Sequence, residues 1–503
     1  MSDSTAYATL QDRFRRRALI GDALGILDWD QATTMPEGSA DGRAEQIATL
    51  SVMRHELVVD PAVSDGIARA KQDFGAADTD AWHQSNLREM ERAYLLAAAV
   101  PGDLVEAAAR ANAMCEVDWR RARAENDFAS LLPALREVLN LVRQTADVRA
   151  EALSLAPYDA LLEEYEAGTR MARLDPLFDR LAEFLPAFLP QVLERQNAQP
   201  APVRPDGPFA IADQRALAAE LMQALGFDFA RGRLDISHHP FCGGATGDVR
   251  ITTRYNESDF TESLMGVLHE TGHALYESGL PGDWQFQPVG NALGMAIHES
   301  QSLLIEMQVS RSRPFLAFAL PRMRDAFGGN GPGWEVDNLY RLYTQVEPGF
   351  IRVDADEVTY PLHIILRYRL EQAMLSGDLG LTDLPGAWND GMRDLLGITP
   401  PDDRLGCLQD VHWPSGSFGY FPTYTLGAMA AAQFYRAAHH DMPDLEDDIE
   451  AGRLAPLVSW LRTHVHGQGS CRTADELLSR ATGEPLNPEI FLDHLQARYL
   501  GHA

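Results

Sequence analysis

The sequence predicts a mainly α-helical protein with a small β-hairpin or short sheet next to a metal site. Residues 4 to about 200 place apolar side chains at helical spacing almost throughout. Only two stretches, 232–241 and 248–255, are rich in β-branched residues with alternating polarity, as short strands are. An H-E-x-x-H motif follows them inside an apolar, helix-forming segment. We therefore expect helices to build the scaffold and the strands to lie beside the metal.

The composition is that of a large globular protein with an acidic surface. The chain has 503 residues, 45 % of them hydrophobic, and can bury a large core without disulfides. Its net charge of −30 argues against nucleic acid or an anionic membrane as partner, since both bind basic surfaces. No apolar run is long enough to span a bilayer, and the first residues lack the features of a secretory leader. The four cysteines form no C-x-x-C pair, so we expect reduced thiols and a cytoplasmic protein.

The part of the chain before the strands is predicted to be helical with short connections. Apolar spacing and proline positions indicate helices at about 44–57, 101–126, 128–155 and 176–196, with a turn at Trp29–Pro36. The Pro-rich segment 199–208 is the best linker candidate, but it is short, and helix resumes at about Ile211. We therefore predict one domain over 1–503. Its portion 1–208 is mostly helical, and its portion 209–503 carries the metal site.

The H-E-x-x-H motif supplies two metal-binding side chains and a base. His269 and His273 are four residues apart, so they project from one face of a helix. Two imidazoles on one face can hold a zinc ion, and Glu270 then lies beside the open coordination position. The competing interpretation is a pair of structural histidines with a solvated glutamate.

The ends and the packing of this helix also leave signals in the sequence. Asp259 followed by Glu262 resembles a capping box at its start, and Gly279 is a stop signal. Gly272 inside the helix costs about 1 kcal/mol relative to alanine. Such a glycine indicates that another element packs closely against the helix there.

A third ligand is found 26 residues after His273, at Glu299 (299 − 273). The segment around it is apolar and helical, with Asn291 as its predicted cap. A carboxylate among apolar neighbours is costly unless it is paired or metal-bound. His269, His273 and Glu299 therefore form a His₂Glu set, which in catalytic zinc sites leaves a fourth position for water. We expect His298 to support a ligand or to belong to the core.

Several stretches in order resemble the carboxypeptidase Taq family of metallocarboxypeptidases and run nearly from end to end. The matching stretches are Trp29-Asp…Met-Pro36, His239-Pro-Phe, Asp248-Val-Arg-Ile-Thr-Thr-Arg-Tyr, His269-Glu-Thr-Gly-His, His298-Glu-Ser-Gln, Ile351-Arg-Val-Asp-Ala-Asp-Glu, Gly406-Cys-Leu-Gln-Asp-Val-His-Trp, Phe418-Gly-Tyr-Phe-Pro-Thr-Tyr and Trp460-Leu-Arg-Thr-His-Val-His-Gly. The resemblance implies a fold like that of angiotensin-converting enzyme and the thimet oligopeptidases, in which two helical halves flank a groove with the metal at its floor.

The same resemblance implies an activity and a set of partners. It implies removal of single residues, with broad specificity, from peptides with a free C-terminus. It also implies a zinc or cobalt ion, a cytoplasmic location and a homodimer. Carried onto this chain, it makes His269, His273 and Glu299 the metal ligands and Glu270 the general base. Two alternatives stay open: an oligopeptidase or dipeptidyl carboxypeptidase on the same scaffold, and a non-enzymatic helical peptide-binding protein with a structural metal. The intact Glu270 argues against the second.

The loop 406–424 is rich in glycine, aromatic residues and hydrogen-bond donors, and the resemblance puts it at the groove. We expect His412 and Tyr420 to stabilise the charge that develops on the scissile carbonyl oxygen. Tyr424 is a substrate-binding candidate, and Tyr360 is weighed with it. The alternative for all four is an aromatic and polar cluster that only supports the fold.

An exopeptidase of this kind must recognise a free carboxylate, and a planar guanidinium does so bidentately. Arg352 is the first candidate because it lies in the Ile351 motif, with Asp354, Asp356 and Glu357 expected to orient it. The alternative is a structural ion network with those acids. Arg250, on the second predicted strand, is the next candidate. The sequence gives no role for Cys242, Cys407, His464 or His466, and no side-chain preference, native metal or dimer surface.

Overall fold

Helices make up most of the protein, as predicted. The computed structural model describes residues 5–75 and 80–501. The predictions made for residues 1–4, which include the start of the helical pattern at Ser4, lie outside the described residues. The helices before the strands are α1 (Ala6–Thr33), α2 (Ala40–Val59), α3 (Pro61–Gly75), α4 (Ala81–Ala98), α5 (Gly102–Glu125), α6 (Phe128–Leu153), α7 (Pro157–Tyr165), α8 (Met171–Asn197) and α9 (Ile211–Ala224). None of the described helices combines the length and the apolar character that a bilayer crossing requires.

Two predicted boundaries in this part were wrong. Helix α1 continues through Trp29 to Thr33, so the predicted turn starts later than expected. Helix α8 begins at Met171 and keeps three prolines inside it, the first of them Pro176. A proline removes a single backbone donor from a helix, and the apolar face of α8 outweighs that loss because it is buried along its whole length.

The strands form one small sheet rather than a hairpin of the two predicted stretches. They are β1 (Gly232–Ile236), β2 (Phe241–Ala245) and β3 (Asp248–Thr253), in the order β1-β3-β2. β3 pairs in parallel with β1 and antiparallel with β2. β2 was missed because Phe-Cys-Gly-Gly-Ala lacks β-branched residues. It turns into β3 through Thr246 and Gly247, whose φ of +81° suits a two-residue hairpin loop.

The remaining helices follow the sheet. They are α10 (Thr261–Gly279), α11 (Gly294–Leu303), α12 (Arg313–Phe327), α13 (Val336–Tyr343), α14 (Tyr360–Ser376), α15 (Leu384–Leu396), α16 (Pro422–Asp441), α17 (Leu445–Glu450), α18 (Ala455–His464), α19 (Ala474–Thr482) and α20 (Pro488–Leu500). A π-helical segment, Leu304–Ser310, continues α11. The helix predicted around Glu299 is therefore an α-helix that widens into a π-helix.

Buried apolar side chains form three clusters. The largest runs from Cys115 in α5 to Leu495 in α20 and includes both predicted portions of the chain. A second, separate cluster joins α1 to α4 around Phe14, Ile67 and Met90. The third holds the sheet against α9 and α10. Helix α10, which carries the H-E-x-x-H motif, is therefore fixed between the sheet on one side and the main core on the other.

The loop between α10 and α11 connects the α1–α4 unit to this core. Trp284 stacks on Trp82 of α4 with ring centroids 5.7 Å apart. Arg15 of α1 lies over the Phe286 ring at 4.7 Å, and Gln287 donates to the Gln11 carbonyl at 3.1 Å. This loop, 282–289, thus serves to dock the N-terminal helices.

Candidate metal centre

Helices α10 and α11 approach each other closely at Gly272. A Cβ atom at this position would lie 2.3 Å from the carbonyl oxygen of Gln301, so only glycine fits. The close packing expected here is confirmed, and α10 ends at Gly279 as predicted. The predicted capping box was wrong. Asp259 accepts from the Thr261 amide at 2.8 Å, but Glu262 turns away and pairs with Arg254 at 3.4 Å.

The start of α11 is fixed by a residue far away in the sequence. The helix begins at Gly294 rather than near Asn291, and the Glu166 carboxylate accepts from the backbone amide of Ala296. Gly294 has a φ of +60°, and a Cβ there would come within 2.9 Å of the Glu166 carboxylate. Burial raises the pKa of Glu166 to about 8. A carboxylate at this helix start is favoured by the helix dipole and satisfies its free amides.

The three predicted ligands meet in one place. The Nε2 atoms of His269 and His273 lie 4.0 and 3.5 Å from Oε2 of Glu299, and one ligand atom from each residue lies within 4.8 Å of the others. Gly427 of α16 packs against the Glu299 side chain, since a Cβ there would be 2.8 Å from its Cβ and Cγ atoms. Each side chain is partly buried, which leaves the shared space accessible.

The opposite edges of both imidazoles are held by hydrogen bonds. Nδ1 of His269 lies 2.9 Å from Oε2 of Glu306, and Nδ1 of His273 lies 3.1 Å from the backbone oxygen of His298. With the Nδ1 protons donated there, both Nε2 lone pairs point to the space beside Glu299. The donor set therefore fits a divalent metal. Glu306 was missed, although a carboxylate in an apolar helix was the signal that identified Glu299.

His298 lies against a ligand, as expected. Its Nδ1 is 2.7 Å from Nδ1 of His273, and its Nε2 is 2.8 Å from Glu277. It thus links His273 to a carboxylate on the same helix, α10.

Glu270 is buried beside the candidate ligands, with 8 % of its surface exposed. Burial raises its pKa to about 7, against the opposing effect of His269. Strand β2 packs against α10, the helix that carries this candidate base. Burial raises the pKa of the Cys242 thiol of β2, and the Glu270 carboxylate adds to that shift.

Three tyrosines gather near Glu299. Tyr360 and Tyr424 have ring centroids 6.1 Å apart, and Tyr420 lies 5.3 Å from Tyr424. Burial is the main cause that raises the pKa of each phenol, and the Glu299 carboxylate adds to it. These hydroxyls therefore stay protonated and can donate hydrogen bonds. His412 joins the cluster, with its Nε2 3.2 Å from the Tyr424 hydroxyl.

The predicted donor loop is anchored by a buried carboxylate. Glu371 of α14 accepts from Nε1 of Trp413 at 2.9 Å, from the Gly419 amide at 3.0 Å and from the Tyr158 hydroxyl at 2.7 Å. Burial lowers the pKa of His412 to about 4, against the opposing effect of Asp410, so its ring is neutral near pH 7. The loop thus presents neutral donors from a rigid support.

Arg352 is buried, with 5 % of its surface exposed, and shares a carboxylate with a second arginine. It donates to Oδ1 of Asp410 from Nε at 3.1 Å and from Nη2 at 3.0 Å, and from Nη1 to the Tyr360 hydroxyl at 2.9 Å. Arg367, fully buried, donates to the other oxygen of Asp410 from Nε at 2.7 Å. Two guanidinium groups facing one carboxylate leave one uncompensated positive charge beside the tyrosines.

The prediction that Asp354, Asp356 and Glu357 orient Arg352 was wrong. Asp354 is exposed, Asp356 caps the start of α14 by accepting from the Thr359 amide at 3.0 Å, and Glu357 pairs with Arg498 at 2.9 Å. The chain turns through a short 3₁₀ segment after Arg352, so these acids point away from it. Asp410 was missed. It lies two residues before His412, but the sequence alone does not bring it to Arg352.

Arg250 is held on the face of the sheet that α1 covers. It pairs with Asp248 through Nε at 3.0 Å and Nη2 at 2.5 Å, and it lies over the Trp29 ring at 4.5 Å. None of its described contacts is with Glu299, Arg352 or the tyrosines.

The residues without a predicted role have packing contacts. His466 is buried, bonds to Gln301 at 3.0 Å and packs on Gly279, so it joins α10 to α11. His464 stacks on Trp460 at 4.6 Å. Cys407 is buried, and all four cysteines are free thiols.

Comparisons with known proteins find similarity over nearly the whole chain. The profile of the carboxypeptidase Taq (M32) metallopeptidase family matches residues 9–499. The thermostable carboxypeptidase 1 of Thermus thermophilus is 39 % identical over 99 % of both chains. The structure of Trypanosoma cruzi metallocarboxypeptidase 1 is 40 % identical, with a TM-score of 0.96 over 98 % of this chain and 99 % of that one. An M32 carboxypeptidase from Deinococcus radiodurans is 34 % identical, with a TM-score of 0.91 over 98 % of each chain.

Proposed function

The chain belongs to the carboxypeptidase Taq (M32) family of metallopeptidases, and from its metallocarboxypeptidase activity we propose how its own residues perform the reaction. We assign the metal ligands to His269, His273 and Glu299, and the general base to Glu270. The single observation that carries this assignment is the convergence of two Nε2 atoms and one carboxylate oxygen within 4.8 Å. Zinc is the proposed ion, with cobalt as the alternative, because this donor set is that of catalytic zinc sites.

A divalent metal held by His269, His273 and Glu299 would lower the pKa of a bound water and polarise the scissile carbonyl. Glu270 accepts the proton of the attacking water and returns it to the leaving amine. Its burial beside the ligands keeps bulk water away from the proton that it carries. Glu306 and the His298 carbonyl hold the two imidazoles in one tautomer throughout.

Negative charge develops on the carbonyl oxygen in the transition state. Tyr420 and His412 are proposed to donate hydrogen bonds to it. Both remain neutral donors, their rings lie 5.6 Å apart, Tyr420 is near Glu299, and Glu371 fixes their loop. Removal of one such donor typically lowers the rate by roughly 10²–10³-fold. Tyr424 borders the same space and is proposed to contact the substrate.

The free carboxylate of the substrate is proposed to bind Arg352. Three of the five guanidinium N–H groups are used by Asp410 and Tyr360, which leaves two for a ligand (5 − 3). The uncompensated charge of the Arg352–Arg367–Asp410 cluster favours an anion at this place. Arg250 remains the second candidate, although Asp248 and Trp29 already occupy its guanidinium.

Single-residue release with broad specificity, a homodimer and a cytoplasmic location complete the proposal. The four free thiols support the proposed location, since disulfides are rare in the cytoplasm. A dipeptidyl carboxypeptidase on this scaffold would release residues in pairs. A free-acid peptide incubated with metal-loaded enzyme and followed by mass spectrometry distinguishes the two, because the product ladder steps by one residue or by two.

The roles of the two glutamates are separated by a pair of variants. Glu270→Gln should keep one metal per chain and lose nearly all activity, because the base is removed and the ligands remain. Glu299→Ala should lose the metal itself, since only two imidazoles remain. Metal content by atomic emission and kcat/KM on a free-acid peptide are the two measurements. Loss of metal in Glu270→Gln together with normal metal in Glu299→Ala would reverse the assigned roles.

A further inference from the structure

A cleft of about 450 Å³ lies where the ends of α8, α13 and α20 meet the segment 199–202. We propose that this cleft binds a small anionic molecule through a phosphate or carboxylate group. Its lining shares no residue with the metal centre or with the Arg352 cluster. The proposal is therefore a second site, separate from the peptidase reaction.

The charge of the cleft is opposite to that of the molecule. The chain as a whole has 43 basic and 73 acidic side chains, yet the cleft is lined by Arg195, Arg313, Arg341 and Arg498 and by no aspartate or glutamate. Arg313 is paired with Asp337, and Arg498 with Glu357. The other two lining arginines, Arg195 and Arg341, have no carboxylate partner among the described residues.

Arg341 is the most informative of these side chains. It is half-buried at the end of α13, and its Nε atom has no hydrogen-bond partner among the described residues. Its guanidinium group has no carboxylate partner among the described residues, so an anion in the cleft would compensate its charge.

The converging helix ends do not account for the arginines by themselves. Arg195 donates to the Leu500 carbonyl at the end of α20. The Gln196 side chain bonds to both the amide and the carbonyl of Val346, at 2.8 and 2.9 Å. Arg195 and Gln196 thus hydrogen-bond to backbone groups of neighbouring segments. In contrast, no carbonyl among the described residues accepts a hydrogen bond from Arg341.

The size and the remaining lining indicate the class of ligand. A volume of about 450 Å³ lies within the range of small-molecule sites, roughly 300–1,000 Å³. Tyr340 offers an aromatic face, and Gln345 and Thr344 offer polar groups beside the arginines. Guanidinium groups bind phosphate and carboxylate bidentately, so a di- or trianion of metabolite size suits the cleft.

The test is isothermal titration calorimetry of the metal-loaded enzyme with inorganic phosphate and, separately, with succinate, at constant ionic strength. We expect saturable binding of at least one of the two anions at one site per chain, and the tighter probe identifies the group. Loss of one charge-assisted contact corresponds to roughly 10- to 100-fold weaker binding in Arg341→Gln. The exposed Arg393, paired with Asp390 on α15, gives the matched control, and Arg393→Gln should bind as wild type does.

Circular dichroism and a peptidase assay accompany each variant, and both cleft variants should keep normal activity. Should Arg341→Gln not fold, Arg195→Gln carries the same test, because Arg195 is exposed and its loss leaves the core intact. Absence of saturable binding overturns the proposal. Equal binding by wild type and both cleft variants also overturns it, since the anion would then be bound elsewhere, including at the metal.

Discussion

Replacing Arg352 by alanine should separate recognition of the substrate's C-terminus from the chemical step. The fold should survive the change, because Asp410 keeps its bond to Arg367 at 2.7 Å and the cluster becomes a balanced pair. What disappears is the uncompensated positive charge and the two free N–H groups. The variant thus removes a ligand contact and leaves a buried ion pair satisfied.

The magnitude follows from burial. Deleting one partner of a buried, hydrogen-bonded charge pair costs about 2–5 kcal/mol, which corresponds to roughly a 30- to 5,000-fold loss in kcat/KM on free-acid peptides. On the matching C-terminal amide, wild type should already be slow and the variant should differ little. Arg352→Lys should fall between them, since it restores the charge without the planar fork.

The assay is a two-by-two comparison of wild type and Arg352→Ala on an acid and an amide peptide of the same sequence. Arg254→Ala is the control, because Arg254 is exposed and pairs with Glu262 at 3.4 Å. An equal loss on both substrates would refute the assignment. Arg352 would then support the fold or the transition state, and Arg250 would become the next residue to test.

Two further changes probe the support of the metal centre, and a third probes a buried ion pair outside it. Glu306→Gln should weaken metal affinity roughly 10- to 100-fold, because the carboxylate that orients His269 loses its charge; competition with a chelator measures it, and unchanged affinity would count against that contact. Gly272→Ala should lower the melting temperature and metal content, since overpacking costs about 1–3 kcal/mol, whereas Gly266→Ala on the same helix meets open space and should be neutral or stabilising. Burial alone would raise the pKa of Glu357, but Arg498 and His494 outweigh it and lower that pKa. The stabilisation by Glu357 is therefore complete above its ordinary value of 4.5 and is lost as the pH falls further. The difference in urea midpoint between wild type and Glu357→Gln should shrink below that pH, and a constant difference would contradict the lowered pKa.

The sequence was most informative where the candidate functional residues lie within one helix, because the helical period then determines which of them share a face. His269 and His273 had to share a face because they lie one helical turn apart. Glu299 could be identified because an isolated carboxylate in an apolar helix needs a partner. Gly272 indicated a close contact, and the structure supplies it at Gln301.

Contacts between residues that are far apart in the sequence could not be predicted from local spacing. Arg352 had three acids within five residues, and proximity in sequence favoured them. The 3₁₀ segment after Arg352 turns those acids away, and Asp410 arrives from a loop 58 residues later (410 − 352). Strand β2 was missed for a related reason, since its pairing with β3 outweighs the low strand propensity of its two glycines.

The supporting residues that the sequence analysis did not identify are buried carboxylates. Each of them holds one segment or side chain of the candidate site in place. Glu166 caps the helix that carries Glu299, Asp410 orients Arg352, and Glu371 fixes the loop of His412 and Tyr420. Asp410 and Glu371 each accept from donors on two segments, so loss of either would leave buried polar groups unpaired on both. Positions of this kind connect segments far apart in the chain. Local spacing in the sequence therefore predicts the candidate reacting groups, but it does not predict the carboxylates that hold them in place.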